Sequence, residues 1–144
     1  LLTRHPAKRA LALRLGARHT AATETEARAA LGAGADLVLE CAGVAETVAL
    51  SPRLARSGGR VVVLGVMPKG ETVAIEPFDL LFREIALLHS FINPFTQGRA
   101  IGMLRSGAVD VAPLVSRVIA LEDAPRAIAE PALPGEIKVL VSTS

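Results

Sequence analysis

The chain has no tryptophan and no tyrosine, and four phenylalanines make up its aromatic complement. Single strands of nucleic acid are bound by stacking on aromatic rings, and duplexes by a basic stripe or face. Here the 16 Lys and Arg residues are scattered and the formal net charge is only +2. No nucleic-acid partner is expected. There is one cysteine, Cys41, in 144 residues. That excludes an intrachain disulfide and any all-cysteine metal cluster, and it suits a reducing cytoplasm. No apolar run approaches the ~18 residues of a membrane span, so no membrane partner is expected. The opening Leu1-Leu2-Thr3 carries neither an initiating Met nor a leader pattern. It reads as the tail of a strand whose beginning is missing.

What is present is apolar mass. Half the residues are hydrophobic (51%), enough for one domain that buries roughly 70% of its unfolded surface. The organising stretch is Asp36 to Gly65. Asp36-Leu37-Val38-Leu39-Glu40-Cys41-Ala42-Gly43 and Gly58-Gly59-Arg60-Val61-Val62-Val63-Leu64-Gly65 flank a segment with helical spacing. That is a βαβ unit of about 30 residues. Both runs are apolar on both faces, which predicts a parallel sheet covered by helices on each side. Both end in small residues, and ligands of open parallel sheets sit past the carboxyl ends of the strands. A flat nucleotide is therefore expected over Cys41-Ala42-Gly43 and Gly65-Val66.

Along the chain, Pro6 suits a helix start. Ala7, Leu11 and Leu15 form that helix's buried stripe, Lys8, Arg9 and Arg14 its exposed side, and Gly16 its stop. A short strand is possible at His19 to Ala22, then a helix from Thr23 to Ala30. Gly32-Ala33-Gly34 follows a helix and precedes a strand, the reverse of a phosphate loop, so it is a plain connection. Val44 to Arg56 reads as the crossover helix, with Val44, Val48 and Leu54 facing the sheet and a break near Ser51 caused by Pro52. A strand runs from Arg60 to Leu64, and Val61 to Met67 is the longest apolar run. Pro77 to Phe82 fits a short helix or an edge strand. Ile85 to Phe91 reads as a buried strand and Asn93 to Ser106 as a helix with Ile101 and Leu104 inward. Val115 to Leu121 is a strand, Glu122 to Ala129 a helix and Ile137 to Val141 a closing strand.

The ordered set of the basic helix ending Leu15-Gly16-Ala17, Glu40-Cys41-Ala42-Gly43, Gly58 to Gly65, Ser90-Phe91-Ile92 and Gly135-Glu136-Ile137-Lys138-Val139-Leu140-Val141 resembles one family. It is the C-terminal part of the medium-chain dehydrogenase/reductases, the zinc-type alcohol, polyol and threonine dehydrogenases. The resemblance implies an α/β fold: a Rossmann-like parallel sheet with flanking helices, truncated at its N-terminus, plus a C-terminal segment of the catalytic domain. Residues 1–92 would be the distal part of the NAD(P)-binding domain. Residues 93–144 would return toward the catalytic domain. The family transfers hydride between nicotinamide and an alcohol or carbonyl, with zinc polarising the substrate oxygen. The zinc ligands, the proton relay and the glycine-rich pyrophosphate loop lie in family segments that this sequence does not contain. No catalytic residue or metal ligand is therefore assigned, and the chain alone is expected to be inactive.

The resemblance also implies cofactor contacts. Thr3, followed by Arg4, stands where members preferring NAD carry an acidic residue; a hydroxyl and a guanidinium there favour the 2′-phosphate of NADP. Lys8 matches a basic residue that reaches the adenosine ribose. Cys41, Ala42 and Gly43 match the loop beside the adenosine, and Leu64, Gly65 and Val66 the segment beside the nicotinamide. Ser90, Phe91 and Ile92 match the strand end that meets the carboxamide, and Lys138 a residue approaching the pyrophosphate. Cys41 is expected to be a small buried residue, since no His or carboxylate stands at motif spacing to activate it. His89 departs from the pattern, where many members have Gly, and His5 and His19 are given no metal role. Pro77 to Glu84 matches an edge through which members pair into homo-oligomers. Two rivals remain. Leu54 to Val61 also looks like the helix-to-strand turn of an S-adenosylmethionine-dependent methyltransferase, which should carry an antiparallel strand beside this unit. The second rival is a non-catalytic nucleotide-binding remnant.

Overall fold

A computed structural model describes residues 1–92, 95–133 and 135–143. The chain forms two compact units, Leu1–Ile92 and Asn93–Ser144. The first contains α1 (Pro6–Arg14), α2 (Glu24–Leu31), β1 (Ala35–Glu40), α3 (Ala45–Leu54), β2 (Ala55–Val63), α4 (Pro77–Phe82) and β3 (Ala86–His89). Its strands form a sheet in the order β1-β2-β3, and both pairings are parallel. Leu2 and Ala21 make a separate parallel bridge. The strand expected at His19 to Ala22 is reduced to that contact, where Thr3 N–H donates to the Ala21 carbonyl and Ala21 N–H to that of Leu1, both at 2.9 Å.

Local chemistry accounts for the element ends. Thr23 caps α2 by accepting the Glu26 amide at 3.2 Å, and the Glu26 carboxylate reaches back to the Ala22 amide at 2.7 Å. This reciprocal arrangement satisfies two otherwise orphaned donors. The expected break at Ser51 does not occur, because α3 runs through Pro52 to Leu54. Arg83 braces the end of this helix. Its guanidinium donates to the carbonyls of Pro52 and Ala55 and pairs with Asp79. The last carbonyls of a helix need such partners.

Val61 is fully buried and sits in one row with Val38 and Leu87. Val48 from α3, with Ala55, Val63 and Ile85, completes the core on that face. The opposite face departs from the expected double cover. Leu37, Leu39 and Leu88 remain 51%, 58% and 48% exposed. The apolar alternation is real, but among the described residues α3 packs on one side only. Leu15 and Val44, expected inward, are 44% and 47% exposed, so Leu11 alone anchors α1. Strand pairing of β3 covers Ala86–His89 rather than Ile85 to Phe91, and positive φ at Glu84 (52°) and Ile92 (58°) bends the chain beyond either end of that span.

The second unit holds α5 (Gln97–Arg105), β4 (Val115–Ala120), α6 (Ala124–Ala129) and β5 (Lys138–Ser142), with β4 and β5 parallel. The expected helix start at Asn93 lies outside the described residues, and Ile101 and Leu104 are 45% exposed rather than inward. Arg117 on β4 pairs with Glu136, whose second oxygen accepts the Leu133 amide at 3.1 Å. Ser116 Oγ accepts the Ile137 amide at 2.8 Å. Together these bonds fix the entry to β5 and so the placement of Lys138.

The Arg117 hydrogen bond holds the Glu136 carboxyl below the usual glutamate range. A carboxyl depressed on folding contributes stability that is present above its unfolded value, about pH 4.3, and is lost as pH falls through the lower folded value. Acid titration of the unfolding midpoint should therefore fall more steeply below that pH in the wild type than in Glu136→Gln. Parallel acid limbs in the two proteins would remove this pair from the account.

Candidate functional site

The register of the sheet defines a rim. Glu40, Val63 and His89 form its last paired row. One step further along parallel strands come Cys41, Leu64 and Ser90, and Ser90 N–H donates back to Val63 at 3.0 Å. Three segments singled out from the sequence, 41–43, 64–66 and 90–92, thus leave the same edge of the sheet side by side. Cys41, Leu64, Val66, Phe91 and Ile92 are all exposed there. Cys41 is a free, exposed thiol rather than a buried one. Alternation explains the difference: Glu40 takes the inward position at the strand end, which turns its neighbour outward.

Glycine is required at two of these positions. A Cβ on Gly65 would lie 2.1 Å from the Gly43 nitrogen, and one on Gly43 would lie 2.7 Å from the Val66 nitrogen and oxygen. Gly43 also has φ +68°, a conformation that costs an L side chain. The two loops therefore touch backbone to backbone, leaving a low, smooth floor between β1 and β2.

The structure reveals what holds that floor. Glu40 is 4% exposed. Its Oε1 accepts the Ala42 amide at 2.8 Å, the Gly43 amide at 3.0 Å and the Thr47 hydroxyl at 2.7 Å. Its own carbonyl accepts the amides of Leu64 at 2.8 Å and Gly65 at 3.0 Å. Neither Glu40 nor Thr47 was given a role from sequence. The available signal was one carboxylate closing an apolar run, a residue type almost never buried without partners.

The opening segment forms a second cluster. Thr3 is half-buried, Arg4 and Lys8 are exposed, and Arg9, expected outward, is half-buried with Nη1 donating to the Thr3 carbonyl at 2.8 Å. α1 starts directly after, with no acidic residue in its first turn and no side-chain cap on its first amides. Lys138 is exposed on β5, in the second unit.

Among the described residues, no group of three or more His, Cys, Asp or Glu side chains could hold a metal ion. The residues present do not fit a zinc site. At the rim the two glycine loops pack so closely that an added Cβ on either would strike the backbone of the other.

The sequence profile of the zinc-binding dehydrogenases matches residues 1–106. The chain belongs to that family. A protein of Rhizobium meliloti (strain 1021) described as a D-xylulose reductase is 36% identical over 132 residues, 88% of this chain and 37% of the relative. The L-arabinitol 4-dehydrogenase of Aspergillus niger is 37% identical over 111 residues, 75% of this chain and 28% of that enzyme. Among solved structures, a protein of Sinorhizobium meliloti 1021 described as a zinc-binding dehydrogenase, bound to NADP, superposes with TM-score 0.91 at 49% identity. That match covers 98% of this chain and 44% of the other. This member of the family thus spans well under half the length of these relatives. The methyltransferase reading finds no support: the strand beside the βαβ unit is parallel, not antiparallel.

Proposed function

We propose that this chain is the cofactor-holding part of an NADP-dependent, zinc-type alcohol or polyol dehydrogenase. The observation that carries the reading is the glycine-floored rim at the carboxyl ends of three parallel strands. It is supported by 49% identity to a protein that was solved with NADP bound. The relatives described as a D-xylulose reductase and an L-arabinitol 4-dehydrogenase point to a polyol or its ketose as substrate.

When bound, the nicotinamide ring would supply the hydride acceptor or donor. The chain's own residues bind and orient. Arg4 and Lys8, at the positive start of α1, hold the adenosine phosphate that distinguishes NADP. Cys41, Ala42 and Gly43 carry the adenosine, while Leu64, Gly65 and Val66 with Ser90, Phe91 and Ile92 seat the nicotinamide. Thr3 borders the ribose. On this reading residues 1–92 are the distal cofactor domain and 93–144 the return toward a catalytic domain, in a cytoplasmic enzyme. Zinc belongs to the complete enzyme, through ligands outside this chain. Homo-oligomer formation would use Pro77 to Glu84, where Phe78, Leu81 and Phe82 are 66%, 76% and 79% exposed and the two rings stack at 5.9 Å.

Titrating NADPH into the purified chain and following its fluorescence tests the reading. Micromolar binding, with no alcohol oxidation and no binding of S-adenosylmethionine, is the expected result. A folded chain that binds no NADPH would instead favour a nucleotide-free remnant.

A further inference from the structure

Glu40 ties together the loop that follows β1. Its Oε1 accepts the amides of Ala42 and Gly43, ahead of α3, and the hydroxyl of Thr47 in the first turn of that helix. The N-cap itself is Val44, which offers no side-chain bond. Oε2 is buried with no hydrogen-bond partner among the described residues. A buried oxygen without a partner is costly, and the three bonds to Oε1 are made against that cost.

We propose that Glu40 is a positioning residue that fixes the width of the cofactor rim. Its side chain fastens Ala42 and Gly43, the adenosine side. Its carbonyl fastens Leu64 and Gly65, the nicotinamide side. Oε2 lies 2.6 Å from where a Gly65 Cβ would stand, so it packs against that glycine and spaces the two loops. Thr47 aims the carboxylate from the first turn of α3. One residue thereby sets the separation of both halves of the floor without itself facing the ligand. The link to cofactor affinity rests on the NADP reading above; the link to rim geometry does not.

The test uses the full chain, NADPH as probe, and amide hydrogen exchange. In Glu40→Ala the NADPH Kd should rise at least about tenfold, as expected for losing hydrogen bonds to a charged group. The amides of Ala42, Gly43, Leu64 and Gly65 should exchange at least about tenfold faster, with those of α2 unchanged. Thr47→Val should raise Kd by about threefold or more and Thr47→Ser should restore it to within about twofold. If Glu40→Ala fails to fold, Thr47→Val decides by the same two readouts. Unchanged affinity in the folded variants, or acceleration confined to Ala42 and Gly43, overturns the proposal. Should the wild type bind no NADPH, the cofactor reading fails by itself, and exchange at Leu64 and Gly65 still decides whether Glu40 holds the rim.

Discussion

Gly65→Ala is expected to cost roughly 3 kcal/mol or more of stability and to abolish NADPH binding, since overpacking against backbone has no cheap relief. The added methyl would stand 2.1 Å from the Gly43 nitrogen, 2.5 Å from its Cα and 2.6 Å from Glu40 Oε2. Two of the three are backbone atoms, and the third belongs to a buried carboxylate whose other oxygen is held by three hydrogen bonds. The two loops must part, and in parting they break the hydrogen bonds that Glu40 makes to both. Urea unfolding and an NADPH titration check the two halves of this expectation. Gly102→Ala in α5, where a Cβ meets nothing within 4 Å, is the control and should be neutral or slightly stabilising. A Gly65→Ala midpoint equal to wild type would mean that the loops are not in contact.

Arg4→Glu should invert the cofactor preference. On the proposed NADP reading it would remove a charge-assisted contact worth about 1.5–3 kcal/mol and set a carboxylate against the 2′-phosphate. NADPH affinity should fall by about ten- to a hundredfold, NADH affinity should hold or improve, and the difference should shrink at high salt as exposed charges are screened. Arg4 is exposed and α1 offers no acidic side chain nearby to neutralise it. An unchanged ratio of the two affinities would take Arg4 out of the site.

The strands, their parallel direction and the rim were legible because each rests on a local pattern: Val- and Leu-rich runs ended by glycine and split by a helical segment. Glu40 was not legible as a clamp, because its partners at Ala42, Thr47 and Leu64 come together only when two loops and a helix meet. Cys41 was misplaced for a related reason. Its residue type suggests burial, whereas its position next to an inward Glu40 dictates exposure. Pro52 misled because an interior proline so near the end of a helix need not break it, and the end of α3 is braced by Arg83, 31 residues beyond Pro52. Leu37, Leu39, Leu15 and Val44 were read inward from their apolar character. Which apolar faces find a covering partner depends on tertiary neighbours that a periodicity does not name.

All three strand pairings in the two units join segments that a helix separates in the chain. There is no hairpin among them from which the sheet could grow locally. The chain must close a long loop before any ladder bond rewards it, which slows such topologies relative to those rich in nearby contacts. The rows through Val38, Val61 and Leu87 therefore form only after the intervening helical segments bring their strands together.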